Sequence, residues 1–443
     1  MSTHQPTQAR GGRMRAPVFF AIMALLIAFE GSTRGWNGAL GILNMGLISA
    51  IIALGLNLQW GYAGLFNSGV VGFLALGGLA PVLVSMPPTP GAFAGGGWGI
   101  LIALCIAVAT IVATVWLNGR LRGTARAGAI VVTLVAGFFL YRGIFDPAVA
   151  VIEAINPSAQ GNLGGLGLPT LLAWPVGALL AAGAAWVVGK TALGLRSDYL
   201  AIATLGIGEI IVAVLRNEEW LARGVLNVNG IPRPWPVPYE IDLQNSADFV
   251  ARAGAMGLDP VTASTVLVKL LWTTLFASVL LALLFAAQLA LKSPWGRMMR
   301  AIRDNEIAAA AMGKNVTRRH LQIFVLGAAV MGLAGAMMIS LDGQMTPSGY
   351  NPLRYTFLIW VMVIVGGSGN NWGSVLGGLL IWYLWIKAEV WGPELMSLVT
   401  AQLADGVVKQ HLVDSAAHMR LIVMGLVLLL VLRFSPRGLL PER

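Results

Sequence analysis

The sequence predicts an all-α, polytopic membrane protein of about 10–12 transmembrane or half-membrane helices. Three observations carry this prediction. Hydrophobic residues fill 57% of the 443 positions and charged residues only 11%, with a mean hydropathy of +0.77; a soluble domain holds about a quarter charged residues. The apolar excess runs along the whole chain in repeated segments close to the ~20 residues that cross a bilayer. Lysine and arginine collect in short segments between those runs, as they do on the cytoplasmic side of membrane proteins. The formal charge of +10 therefore calls for no nucleic-acid partner.

About twelve apolar segments follow one another, at 16–30, 39–56, 63–85, 97–118, 127–144, 168–189, 199–215, 261–291, 320–340, 355–367, 373–391 and 419–434. The first follows Arg10, Arg13 and Arg15 like a signal sequence, but no small-residue cleavage site comes after it, so it reads as a retained span. The third begins in the glycine cluster GYAGLFNSG at 61–69. The fourth holds Cys105, the sole cysteine, which excludes an intrachain disulfide. The seventh carries Glu209 and the eighth Lys269. Ionisable groups inside spans are functional candidates, although Lys269 also fits a snorkelling or interface role. A second glycine cluster, GGSGNNWGSVLGG at 366–378, separates the tenth and eleventh segments. Both clusters suit close helix packing, and both suit broken helices whose freed backbone groups meet a polar substrate.

With the N-terminus inside, alternation places 119–126, 190–198, 292–319 and 435–443 in the cytoplasm. The acids there are Asp198, Asp304, Glu306 and Glu442, while the opposite loops 216–260 and 392–418 hold most of the others. The asymmetry supports this orientation. The 216–260 loop contains IPRPWPVP at 231–238 and reads as an extended, proline-stiffened extracytoplasmic loop anchored by Trp220 and Trp235. The 392–418 loop reads as an amphipathic helix. Each suits an extracytoplasmic partner or ordinary loop decoration. The whole chain, 1–443, reads as one transmembrane domain.

The densest polar stretch is 296–319, GRMMRAIRDNEIAAAAMGKNVTRR. Residues 300–312 lack proline and glycine, are rich in alanine and predict about three and a half turns of helix, with Gly313 as its C-cap. A short helix held at the cytoplasmic surface by two spans is a handle for another protein. The histidines, His4, His320, His411 and His418, do not stand at metal-ligand spacing with cysteine or carboxylate, and no nucleophile elbow, zinc-protease motif or phosphate-binding loop is present. No catalytic residue, metal site or cofactor site is expected in this chain.

These pieces together resemble one family. NLQWGYAGLFNSGVVGFLALGG at 57–78, GLRSDYLAIATLGIGEIIVAVLRN at 194–217, the 296–337 stretch, MVIVGGSGNNWGSVLGG and the closing FSPRGLL are similar to the branched-chain amino acid ABC transporter permeases of the LivM type. There are departures. The EAA-x-x-x-G loop pattern survives as Ala308–Ala309 followed by Gly313, with Glu306 one place early. Asn67 stands where serine is more usual, and Val70 where histidine is frequent. The stretches 119–165 and 392–418 fall outside the resemblance.

The resemblance implies an ABC importer permease fold in a bacterial inner membrane, with both termini cytoplasmic. It implies pairing with a second homologous permease on two ATP-binding cassette subunits that use the ATP, and delivery of cargo by a periplasmic substrate-binding protein. It implies that 296–313 is the coupling helix, with Arg300, Arg303, Glu306, Ala309 and Gly313 at the ATPase. A substrate pathway is expected along Asn67, Ser68, Tyr199, Thr204 and Glu209, where small or polar groups alternate with Leu, Ile and Phe. That mixture suits branched-chain amino acids. A urea or short-amide importer and an ion-coupled secondary transporter using Glu209 remain as alternatives.

Overall fold

A computed structural model of the chain describes residues 11–157, 161–401 and 406–442. Arg10 and Arg443 lie outside the described residues, as do residues 402–405 of the 392–418 loop. Helices follow in the order α1 (Gly11–Arg34), α2 (Trp36–Ala63), α3 (Val70–Ser85), α4 (Trp98–Arg120), α5 (Gly123–Glu153), α6 (Thr170–Ala192), α7 (Ser197–Asn217), α8 (Glu219–Ala222), α9 (Glu240–Gln244), α10 (Ala247–Ala255), α11 (Pro260–Lys292), α12 (Pro294–Asp304), α13 (Glu306–Ala311), α14 (Val316–Asp342), α15 (Leu358–Gly366), α16 (Asn371–Thr400), α17 (Val407–Asp414) and α18 (Met419–Phe434). Two short strands, β1 (Val228–Asn229) and β2 (Gln344–Met345), pair antiparallel, Val228 opposite Met345. The protein is an all-α, multi-pass membrane protein. Among the described residues nine helices are long and apolar enough to cross a bilayer, or ten if the bent pair α17–α18 makes one span. The apolar helix α3 and the segment Arg354–Gly366 are shorter. Every one of the apolar segments read from the sequence has its helix.

The buried centre is built from α2, α3, α6, α14, α15 and α16. α14 packs along α6, α3 and α2, and α16 along α2 and α15. Glycine makes these approaches possible. A Cβ at Gly77 would strike the carbonyl of Gly332, one at Gly335 the carbonyl of Leu74, and one at Gly378 the backbone of Ala50. This is the close backbone packing that small residues permit between spans. Trp174 Nε1 donates to Ser340 Oγ at 3.0 Å, tying α6 to α14.

The loops fall into two groups, one at each end of the bundle. At one end Pro88 bridges to Gly164, Leu163 N donates to Trp220 O at 3.0 Å, Thr170 Oγ1 donates to Pro232 O at 2.8 Å, and β1 pairs with β2. At the other end Arg303 bonds Gly61 O and Glu442, while Asn370 Nδ2 reaches Leu440 O at 3.2 Å. The second group holds the basic segment. Alternation of the twelve segments puts the same loops together.

Three expectations change. The predicted helix over 300–312 is broken at Asn305, whose φ of −157° is extended. Asn305 instead caps α13, its Oδ1 accepting from Ala308 N at 2.9 Å, the local bond by which asparagine favours helix starts over interiors. Arg300, Arg303 and Glu306 therefore do not share one helix face. The segment 216–260 is also more folded than an extended loop: it contains α8, β1, α9 and α10, and its longest irregular stretch is the proline run. In 392–418, α16 continues to Thr400 and α17 is a separate short helix.

Candidate translocation face and coupling surface

Both glycine clusters break helices. α2 ends at Ala63, with Gly64 in the left-handed conformation at φ 70°, and 65–69 runs without helix to α3. α15 ends at Gly366, and Gly367 and Gly369 have φ of 116° and 79° before α16 starts. A side chain would strain these backbones. The breaks free polar backbone groups inside the membrane protein, and asparagine and glutamine side chains satisfy them. Asn57 Oδ1 accepts from Gly369 N at 2.9 Å, and Asn57 Nδ2 donates to Asn371 Oδ1 at 3.2 Å. Asn67 Nδ2 donates to Gln59 Oε1, and Gln59 Nε2 to Phe324 O, both at 2.7 Å. Trp360 Nε1 closes the set by donating to Asn67 O at 3.0 Å. Asn57, Gln59, Asn67 and Asn371 are all buried. The sequence reasoning missed Asn57, Gln59 and Asn371; the signal was amide side chains inside apolar runs, in NLQWG and GNNWG.

Asn67 thus faces inward with its amide groups bonded. Thr204 is buried as well, while Ser68 is half-buried. The structure brings the latter two together: Ser68 N donates to Thr204 Oγ1 at 3.1 Å, and both hydroxyls donate to Ala201 O. These bonds seat α7 on the start of α3, where Gly69 and Gly72 let Gly208 approach. Tyr199 and Glu209 lie elsewhere. The buried stripe of α7 is Leu200, Thr204, Gly208, Val212 and Leu215. Its other side carries Tyr199, Ile202, Gly206, Glu209 and Ala213, of which Glu209 is half-buried and the rest exposed. Tyr199 and Glu209 stand ten residues apart, about 15 Å along the helix. Glu209 Oε1 is enclosed without a hydrogen-bond partner. A helix with one face docked and one face small, aromatic and acidic, lying free at the edge of the bundle, can line a passage completed by another subunit. Lys269 faces a protein interface, donating to Asn37 O at 2.9 Å.

The basic segment is held from within. Arg303 Nη1 bonds Gly61 O, and Glu442 Oε2 at 2.8 Å. Burial works against its charge, but Glu442 and Asp304 hold the guanidinium above its usual range. Arg300 reaches back to Leu291 O at 3.4 Å. Ala309 is buried with Ile302 and Val316. Gly313, at φ 76°, closes α13: Gly313 N donates to Ala310 O at 2.9 Å and Lys314 N to Ala309 O at 3.2 Å, the double bond pattern of a glycine-terminated helix. Of the five residues expected at an ATPase, Glu306 and Gly313 face outward, and Arg300, Arg303 and Ala309 brace the segment. The outward surface is apolar instead: Ile307 is 83% exposed and Met312 79%, with Ala308, Ala310 and Ala311 beside them.

Comparison with known proteins places this architecture. The family described as branched-chain amino acid transport system, permease component, matches residues 154–432. The high-affinity branched-chain amino acid transport system permease protein LivM of Escherichia coli is 28% identical over 281 residues, 62% of this chain and 58% of that one. The chain therefore spans little more than half the length of that relative. The probable branched-chain amino acid transport permease protein LivM of Methanocaldococcus jannaschii is 24% identical over 398 residues, 89% of this chain and 90% of its own. A fructose import permease protein of Rhizobium meliloti, FrcC, is 29% identical over 94 residues, 20% of this chain and 26% of its own. No solved structure matches.

Proposed function

Since the chain belongs to the permease component family of branched-chain amino acid transport systems, we propose that it is a membrane-spanning subunit of an ATP-driven, binding-protein-dependent importer of branched-chain and other hydrophobic amino acids. Its partners are a second homologous permease against the free face of α7, two ATP-binding cassette subunits beneath α13 and a periplasmic binding protein at the outer loops. It works in a bacterial inner membrane with both termini cytoplasmic. ATP is bound and hydrolysed by the partner subunits.

The observation that carries this reading is the α13 surface. An apolar knob of Ile307, Met312 and three alanines projects from the basic end of the bundle. Exposed apolar patches of this kind mark interaction sites, and a short helix presenting small and apolar groups fits a hydrophobic groove. The chain places this helix between α12 and α14, so a push on α13 reaches the long span α14 directly and α11 through α12. The cargo reading rests on the relatives' names and on chemistry. Buried ions need partners. The free face of α7 offers one carboxylate among apolar and small groups, enough for a small amphiphile and too little for a strongly charged solute.

Two measurements test the proposal. The first is orientation: in a Cys105-free background, Asn315→Cys is expected to resist an impermeant thiol reagent applied to intact cells and to label in inverted vesicles. Labelling from outside sinks the topology. The second is cargo: the complex is reconstituted with its binding protein and offered labelled leucine and labelled urea. ATP-dependent leucine uptake is expected. Urea uptake without leucine uptake overturns the amino-acid assignment.

A further inference from the structure

A small recess opens at the outer end of α14, where the chain turns back toward α15. It has a volume of about 180 Å³, below the ~300–1,000 Å³ of pockets that take drug-sized ligands, and so is matched to a molecule of amino-acid size. Its polar lining includes Asp342, Tyr350 and Arg354, and its apolar lining Met338 and Ile339. The segment that shapes it is fixed from several sides. Arg216 of α7 donates to Tyr350 O at 3.0 Å and to Pro347 O at 3.4 Å. Gly343 O accepts from Gly230 N and Ile231 N, next to the β1–β2 pairing.

Two side chains at this recess, Tyr350 and Arg354, carry an enclosed atom without a partner, and Asp342 is exposed. Tyr350 is buried to 2% exposure, yet its hydroxyl makes no hydrogen bond. Gly78 leaves room for that hydroxyl, because a Cβ there would collide with it. Arg354 is held over the rings of Tyr355 and Trp382, 5.1 and 5.5 Å from their centroids, and its Nε is enclosed without an acceptor. Asp342 lies within electrostatic reach of Arg354, but among the described residues no ion pair or hydrogen bond joins them. The Tyr350 hydroxyl and Arg354 Nε are closed off as well as unpartnered, so the groups open to a ligand are the exposed Asp342 carboxylate and the rest of the Arg354 guanidinium. Two opposite charges that share a small recess without closing on each other are placed to meet a ligand that carries both signs.

We propose that this recess binds an α-amino acid as its zwitterion, the carboxylate on Arg354, the ammonium on Asp342, and the aliphatic side chain against Met338 and Ile339. Choosing an amino acid among small zwitterions rests on the cargo reading above; the charge arrangement does not. The stacking of Arg354 preorganises a flat donor face for a carboxylate. Because Arg216 ties the rim to α7, occupancy of the recess is linked mechanically to the helix that carries Glu209. The site would be a stop on the outer side of the passage, after release from the binding protein.

The test uses the whole complex in lipid nanodiscs, without binding protein, and measures equilibrium binding of labelled leucine. Competitors are 4-methylpentanoate, which lacks the ammonium, and isoamylamine, which lacks the carboxylate. Leucine is expected to bind and neither competitor to displace it at equal concentration. The near-isosteric variant Asp342→Asn is expected to weaken leucine binding about tenfold or more, the scale of a lost charge-assisted contact, whereas Tyr350→Phe, whose hydroxyl is closed off from the recess, is expected to leave it unchanged. Arg354→Lys, which keeps the charge but loses the flat donor face, is expected to weaken it as well. Affinity within twofold of wild type in Asp342→Asn and Arg354→Lys alike, or no leucine binding by the wild type, overturns the recess as a substrate site. It also assigns the cavity to bridging water. Uptake by the wild-type complex with binding protein is run alongside. Leucine uptake with binding unaltered in those two variants refutes the recess alone, whereas absence of leucine uptake refutes the cargo reading and the amino-acid ligand with it.

Discussion

The α4–α5 hairpin and the α2–α14 centre are equally good membrane spans by hydropathy and opposite in every other respect. The best windows of the α4 segment and α5 have mean hydropathies of 2.7 and 1.9, against 2.2 for both α2 and α14. Yet 11% of each hairpin window is buried, compared with 78% in α2 and 72% in α14. The hairpin helices pack on each other and touch the remainder chiefly through Phe145 and Trp220, whose rings lie 5.8 Å apart. The whole hairpin also precedes residue 154, where the family match begins. Hydropathy reports compatibility with lipid, which both regions have. Protein-facing spans are marked by what lipid does not demand: glycine at backbone crossings, and amides that repair broken helices. The hairpin faces carry Val112, Val132, Phe139 and their like, exposed and unpartnered.

The sharpest way to break this comparison is to enlarge glycines. Gly77→Leu and Gly335→Leu push a side chain into the backbone of a neighbouring helix, which cannot yield as a flexible side chain can. The destabilisation is expected to exceed ~3 kcal/mol, beyond ordinary overpacking, and to abolish monodisperse protein in mild detergent. Gly128→Leu and Gly143→Leu in α5 meet nothing within 4 Å and are expected to leave yield and melting temperature unchanged. Equal sensitivity in the two regions would refute the distinction.

Ion pairs give the next contrast. Lys387 and Glu30 join α16 to α1 with side-chain exposures of 3% and 8%. Arg142 and Asp146 pair at 2.9 Å on the hairpin, about half exposed. Removing one member of the buried pair strands a charge, so Lys387→Met is expected to cost about 3–5 kcal/mol. The double change Glu30→Gln with Lys387→Met should recover most of it. Asp146→Asn is expected to cost no more than about 0.5 kcal/mol. Equilibrium unfolding in mixed micelles measures both.

The same distinction governs what the sequence makes legible. Span existence follows from composition, so every apolar segment is recovered as a helix. Glycine clusters announce breaks, because φ near +70° at Gly64 or +116° at Gly367 excludes most other residues. Partnership between distant side chains is not written locally. Nothing near Asn67 in the sequence says that Gln59 Oε1, rather than a substrate, accepts its proton. Nothing near Arg303 says that Glu442, 139 positions away, holds it. The segment 296–319 shows both sides. Gly313 is readable as a C-cap from residue type alone, whereas Asn305 stands in a stretch that reads as helix interior and its side-chain oxygen is the cap of α13. β1 and β2, two residues each, are too short to leave a periodic pattern.

The smallest expected effects on stability come from the coupling segment, where the core-against-surface contrast reappears within a few residues. Ala309 packs inward with Ile302 and Val316, while Ile307 and Met312 face solvent. Asn305→Ala removes the cap of α13 and is expected to cost about 1 kcal/mol, read as faster local hydrogen exchange over 306–311 with the spans unaffected. Ile307→Asp changes an outward group and is expected to cost less than about 0.5 kcal/mol. Its functional effect runs the other way. If the apolar knob seats in an ATPase groove, a charge at its most exposed position has to be desolvated on docking. Substrate-stimulated ATP hydrolysis in the assembled complex should then fall about tenfold or more, on the scale of a truncated interface hot spot, while insertion and melting stay at wild-type values. Gly313→Trp should obstruct the same contact, and Glu306→Lys should alter its charge. Arg297→Ala, exposed on the neighbouring helix α12 but away from the knob, should leave hydrolysis within about twofold, as most surface positions outside a hot spot do. A uniform loss across all four variants would mean that general surface charge drives assembly. No loss in any of the first three would remove α13 from the coupling interface.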